Sequence, residues 1–183
     1  MDPFTLAVPV NQTDHVLGPE TARVAIVEYG DFECPNCGQA YPAVKLLLGH
    51  FEHRVRFAFR HFPLTEVHPH AELAAEAAEA AGAQHKFWLM HDALFEQQLH
   101  LKESNVRHYA GAIELDLERF DYEMRDRLYR QRVNEHVEGG RRSGVRGTPT
   151  FFVNGVLTDV SFGLDRLFDV VHAQLANASP TNR

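Results

Sequence analysis

From His68 to about Arg142 the chain offers no strand candidate of useful length, yet strand-like runs stand on both sides of that block of about 75 residues. Upstream, Arg23 to Tyr29 (RVAIVEY) is β-branched and mostly apolar, which suits a strand buried in a sheet. Gly30 and Asp31 break it. Pro35 falls where a first helical residue needs no N–H, and the spacing predicts a helix to about Phe51, kinked at Pro42, which cannot bond back to Gly38. Val55 to Phe62 (VRFAFRHF) alternates apolar with basic and polar residues and predicts a second strand, ended by Pro63. Downstream, Thr150 to Val153 (TFFV) reads as a strand, Asn154-Gly155 as a two-residue hairpin turn into Val156 to Val160, and Leu164 to Leu175 as a closing helix. Two halves that must share one sheet imply that the helical block is an insertion. The predicted fold is α/β: a central mixed β-sheet with flanking helices, made from residues 16–64 and 143–176, with 65–142 as an inserted α-helical domain. Residues 1–15 read as an N-terminal extension and 177–183 as a flexible tail.

Within the block, Ala71, Ala74, Ala75 and Ala78 form one small apolar face against Glu72, Glu76 and Glu79. Phe87, Trp88, Met90, Leu94 and Phe95 follow at helical spacing and read as core between helix and sheet, not as a cofactor box. Three further amphipathic stretches precede Gly139-Gly140.

At 183 residues and 44% hydrophobic, the chain can bury one substantial core without staples. Its formal charge of -7 argues against a nucleic-acid surface. No run approaches the ~20 apolar residues of a membrane span, and Met1 to Val16 lacks the pattern of a signal peptide. The expectation is a cytoplasmic protein. Met1-Asp2-Pro3-Phe4-Thr5 also has the composition of a cloning scar, and a leader removed there would make the protein periplasmic or secreted.

The only two cysteines stand in Cys34-Pro35-Asn36-Cys37, where the predicted strand gives way to a helix. No structural disulfide is then possible, and the pair reads as a redox couple. Unpaired N–H groups and the helix dipole favour a thiolate at Cys34, while Cys37, one turn on and expected to be buried, stays protonated until a mixed disulfide forms. The competing reading is half of a zinc site. It lacks a second cysteine pair, and the twelve histidines show no finger-like spacing from the cysteines, so no metal is expected.

Together EYGDFECPNC, FWLMHDALF and GVRGTPTFFVNG resemble the DsbA-like branch of the thioredoxin superfamily, over about Val16 to Leu175. The resemblance implies a thioredoxin fold with a helical insert and a thiol-disulfide oxidoreductase. Its substrates would be protein or peptide thiols and disulfides, with an unidentified redox partner and no external cofactor. It also implies that Glu28, six residues before Cys34, is a buried acid that relays the proton of Cys37, and that Thr148-Pro149 is the cis-proline segment that guides an extended substrate. Phe32 is expected to add an apolar lip for substrates.

One departure is at Asn36, where many oxidising members carry histidine. Asparagine brings no charge, and Asp31 and Glu33 nearby should oppose a thiolate, so a weaker oxidant is expected. The remaining histidines, among them His50, His53, His61, His68, His70, His85 and His91, read as surface or packing residues. Two other functions share the scaffold: a non-catalytic binding module such as a holdase or adaptor, and a kappa-class glutathione transferase or isomerase, whose members usually carry serine at the Cys34 position.

Overall fold

The computed structural model describes residues 5–161 and 163–177; the first residues of the expected scar and all of the expected tail beyond Asn177 lie outside them. In chain order the elements are β1 (His15–Leu17), β2 (Val24–Gly30), α1 (Pro35–His50), β3 (Val55–His61), α2 (Ala71–Gly82), α3 (Phe87–Glu96), α4 (Glu103–Ala112), α5 (Leu117–Arg125), α6 (Arg130–Arg142), β4 (Thr150–Val153), β5 (Val156–Thr158) and α7 (Asp165–Asn177). The strands form one mixed sheet in the order β1-β3-β2-β4-β5. Only β2 and β3 run parallel, as the intervening helix α1 requires.

The sheet's two faces are chemically different. Ile26, Phe57, Phe59, Phe151 and Val153 point into the larger core, with Cys37, Ala40, Val44 and Leu47 of α1, Phe87, Met90 and Leu94 of α3, and Leu167 and Val171 of α7. The alternate residues Val27, Tyr29, Ala58 and Phe152 pack on the other side with Val145 and the N-terminal residues Leu6 and Val10. This is the period of two that a sheet buried on both faces imposes.

Several local expectations need correction. Strand β1 is too short to carry a pattern of its own; it pairs antiparallel with β3, His15 opposite Phe59. Strand β5 stops at Thr158, short of Val160. Gly139 and Gly140 lie inside α6 instead of after the last helical stretch, because they let this helix approach the sheet: a Cβ on Gly140 would stand 2.8 Å from the Phe62 ring and 3.1 Å from Tyr29. Helix α2 has no solvated glutamate face. It packs against α3, α5 and α6. Glu76 and Glu79 are buried, the first against Arg127 and the second against His15 and His61. At the β4–β5 hairpin, Asn154 (φ 49) and Gly155 (φ 80) both take the left-handed conformation that a two-residue hairpin turn demands.

The expected N-terminal extension is bound to the second face of the sheet across residues 5–14. Arg60 uses its whole guanidinium for this. Nε and Nη2 donate to Asp14 at 2.9 and 2.8 Å, Nη1 donates to Val8 O (2.7 Å) and the Tyr29 hydroxyl (3.1 Å), and Nη2 also donates to Pro9 O (3.0 Å). The Ser143 hydroxyl accepts from Ala7 N, and Gly155 O accepts from Leu6 N.

Candidate active site

The two cysteines are free and buried at the start of α1, and the helix is capped by Cys34 itself, with Pro35 in its first turn. The Cys34 thiol donates to Thr148 O at 3.3 Å. The hydroxyl of Thr148 is buried and without a hydrogen-bond partner among the described residues. The Thr148–Pro149 peptide bond is cis. Residues 114 positions apart in sequence are thus brought together at the reacting sulfur.

The pair is electrostatically asymmetric. The Cys34 thiol is pulled down to about 5, first by the hydrogen bond from the Cys37 side chain; burial opposes this, while the Thr148 side chain and the backbone N–H groups of Cys37 and Asn36 reinforce it. Cys37 is pushed well above the ordinary thiol range, chiefly by burial, then by its bond to Cys34 and the negative charges of Glu28 and Cys34. Its sulfur receives only a long contact from Asp31 N, at 3.5 Å. At neutral pH the helix therefore presents a thiolate at its cap and a protonated thiol one turn in.

Glu28 lies on β2 between Phe59 of β3 and Phe151 of β4, on the same face as Cys37, and is 3% exposed. Burial, followed by the charge of Cys34, pushes its carboxyl up to about 8. A cavity of about 200 Å³ is lined by Glu28, Tyr41, Lys45, His91 and Asp92, with Lys45 donating to Asp92 at 3.0 Å. Gly30, two residues on, is where the Phe59 ring crosses β2, and a Cβ there would collide with it.

Phe32 does not form a lip. At 1% exposed it is core, with ring centroids 5.1 Å from Phe59 and 4.9 Å from Phe95, because the turn after β2 directs it inward. The surface beside the cysteines is instead a groove of about 510 Å³ lined by Asn36, Gln39, Thr148, Pro149, Val160 and Leu164, among others.

Asp31 and Glu33 are not bare charges facing the thiolate. Asp31 Oδ2 accepts from Leu64 N at 2.8 Å and pairs with His68 Nδ1 at 2.7 Å, while Oδ1 accepts from Glu33 N at 2.8 Å. Glu33 accepts from the N–H of His70 at 2.6 Å and pairs with its Nδ1 at 3.0 Å. Burial works against the His68 imidazolium, but Asp31 outweighs it and raises His68 above the usual histidine range. His68 and His70, read from sequence as surface or packing residues, thus hydrogen-bond the two acids and lash the segment after β3 to the cysteine loop.

Gln98 is a further residue that sequence reasoning missed. Its Nε2 donates to Phe32 O at 2.8 Å and Cys34 O at 2.9 Å, clamping the loop from the far end of α3. Gly38 leaves the space this amide occupies, and a Cβ there would run into it. A glycine directly after the second cysteine was the one local signal of such a close approach.

Comparison with known proteins agrees with this geometry. The family model described as Thioredoxin matches residues 10–172. A curated relative, the Na(+)/H(+) antiporter NhaA 1 of Salinispora arenicola, is 50% identical over 172 residues; these make up 93% of this chain but only 26% of that protein, so the chain spans about a quarter of its relative's length. Among solved structures, oxidised BdbD from Bacillus subtilis matches with a TM-score of 0.83 at 21% identity, covering 94% of this chain and 98% of BdbD. A thioredoxin-like oxidoreductase from Silicibacter pomeroyi matches at 0.77 and 27% identity, with 92% and 95% covered. Wolbachia pipientis alpha-DsbA1 matches at 0.77 and 20% identity, with 94% and 96% covered.

Proposed function

The chain belongs to the thioredoxin family, with a DsbA-like form of its fold, and on that premise we propose that it exchanges disulfides with protein or peptide substrates through Cys34 and Cys37. The observation that carries this reading is the asymmetry of the pair, a thiol near 5 at the helix cap and one held far above its ordinary range behind it.

In the reducing direction the Cys34 thiolate attacks a substrate disulfide, forming one S–S bond while the other substrate sulfur leaves as a thiolate. Cys37 then gives its proton to Glu28 and attacks Cys34 Sγ, which closes the Cys34–Cys37 disulfide and releases the second substrate thiol. In the oxidising direction a substrate thiolate attacks Cys34, Cys37 leaves and takes its proton back from Glu28, and a second substrate thiol completes the transfer. A carboxyl near 8 can hold or release that proton near neutral pH, and the adjoining 200 Å³ cavity has room for water to carry it onward. The substrate lies extended along the groove of Thr148 and Pro149, with Asn36 at its edge. Electrons pass to or from a separate dithiol or disulfide protein.

The site of action we propose is a membrane surface outside the cytosol, in place of the cytoplasmic expectation. A relative that is 50% identical to this chain over 172 residues, 26% of that relative's length, is named as a Na(+)/H(+) antiporter, and a catalytic disulfide is maintained most readily in an oxidising compartment. Among the described residues no helix is long and apolar enough to cross a membrane. Alkylation of the cysteines in intact cells checks the placement: a mostly oxidised pair supports it, and a fully reduced one overturns it.

Insulin reduction with dithiothreitol tests the activity. Cys34→Ala should bring the rate to background, whereas Cys37→Ala should accumulate a covalent mixed disulfide. Normal turnover by Cys37→Ala, or first alkylation at Cys37, would overturn the assignment of roles.

A further inference from the structure

The fold gathers histidines on a single carboxylate that takes no part in the cysteines' own hydrogen bonds. Glu79 of α2 pairs through Oε2 with His15 Nε2 of β1 and through Oε1 with His61 Nε2 at the end of β3, each at 2.9 Å. His136 of α6 completes the group: its ring centroid is 5.4 Å from that of His61, and its Nδ1 accepts the backbone N–H of His61 at 3.2 Å. All three of His61, Glu79 and His136 are buried, and a ligand atom from each lies within 4.8 Å of the others.

Two ring nitrogens in this cluster are left over. His61 Nδ1 and His136 Nε2 are buried with no hydrogen-bond partner among the described residues, and such an orphan costs about 1–3 kcal/mol. His136 Nε2 reaches only to 3.9 Å from Asp14. The cluster thus combines a buried carboxylate, two buried imidazoles and ring nitrogens without a partner among the described residues.

We propose that His61, Glu79 and His136 form a structural zinc site, with His15 supporting the carboxylate from its second oxygen. Two imidazoles and a carboxylate are a donor set that zinc favours, and at bond lengths of about 2.0–2.1 Å the ligand atoms of a tetrahedral ion stand roughly 3.4 Å apart. The 2.9 Å hydrogen bond between His61 Nε2 and Glu79 Oε1 would open by about 0.5 Å to reach that spacing, and His136, within 4.8 Å of both, would close by up to about 1.4 Å. When Nε2 of His61 turns to the ion, its proton has a place on the orphaned Nδ1. The ion would offset the buried charge of Glu79 and tie β3, α2 and α6 together, joining the inserted helices to the sheet.

The test uses the full chain with Cys34 and Cys37 oxidised, so that no thiol can ligate. After chelation and gel filtration, zinc chloride should restore about one tightly held equivalent and raise Tm by about 5 °C. Cobalt chloride should give the visible absorption of a tetrahedral site. His136→Gln leaves the two Glu79–histidine bonds in place and should fold, yet it should lose the equivalent, the Tm shift and the cobalt band. Glu79→Gln should do the same if it folds. Retention of less than about 0.2 equivalents by the parent protein, or equal zinc binding by His136→Gln, would overturn the proposal.

Discussion

The two faces of the central sheet each bury a carboxylate, and they treat it in opposite ways. On the face covered by α1 and α3, Glu28 sits beside aromatic rings with no cation paired to it, and burial pushes its carboxyl to about 8. On the face covered by α6 and residues 5–14, Asp14 receives two hydrogen bonds from Arg60, whose other donors go to backbone carbonyls and Tyr29. Desolvation acts on both. What differs is the partner: a buried acid without one becomes a proton store near neutral pH, whereas one with a complete partner becomes an anchor. The cysteines repeat the contrast at closer range, since Cys34 has hydrogen-bond donors and Cys37 has mainly burial.

The largest effect expected from breaking this contrast is on stability at the anchored face. Arg60→Ala would leave the buried Asp14 with the Asn11 N–H and the more distant Arg132, loosen the N-terminal segment, and should cost about 3 kcal/mol in urea unfolding. The folded fraction should keep its exchange rate. A cost below ~1 kcal/mol would mean that the segment is not held by this ion pair.

Glu28→Gln should have the opposite sign. An ordinary carboxyl near 4.5 in the unfolded chain and about 8 in the folded protein means that the native state retains a proton the unfolded state has lost across that interval. Stability therefore falls as pH rises from about 4.5 to about 8. Glutamine removes that loss, so the variant should be more stable than the parent at pH 8 by about 4 kcal/mol, with the difference shrinking to nothing near pH 4. The oxidised protein is the cleaner sample, because the charge of Cys34 is absent and burial acts alone. In stopped-flow with a fluorescent disulfide peptide, the same variant should keep the fast attack and slow only the resolution step. A pH-independent difference in stability, or equal slowing of both steps, would mean that Glu28 is not the proton store.

Gln98→Ala removes two hydrogen bonds to the backbone of the cysteine loop and should cost about 1–3 kcal/mol. The reduced protein should also show faster amide hydrogen exchange around Cys34. Unchanged exchange there would show that the ties from Asp31 and Glu33 hold the loop unaided.

Asn36→His should have the smallest effect. Cys34 is already at about 5 through hydrogen bonds, so an added imidazolium at an exposed position should lower it by about one unit or less and make the disulfide slightly more oxidising. Thiolate absorbance against pH reads the sign, and a raised value would exclude the electrostatic account.

Much of this architecture was legible because it is written in short-range patterns. The β-branched apolar run of Arg23 to Tyr29 and the alternation in Val55 to Phe62 placed β2 and β3 within a residue, and Asn154-Gly155 marked its turn. Phe32 was misjudged because adjacency to Cys34 says nothing about which way a turn directs a side chain. Asp31 and Glu33 were misjudged because their partners, His68 and His70, each lie 37 residues on, and no local pattern joins them. His61, His136 and Gln98 were opaque for the same reason.

By itself the sequence determined the elements, their order and the reactive pair, since periodicity, turn chemistry and a two-residue spacing between cysteines all act within one or two turns of chain. Only the tertiary structure decided what each charge means. Whether Glu28 stores a proton while Asp14 anchors a segment, and whether Asp31 opposes the thiolate or holds a histidine, depends on desolvation and on partners from distant segments. Both arise only when the helical block and residues 5–14 close over the two faces of the sheet.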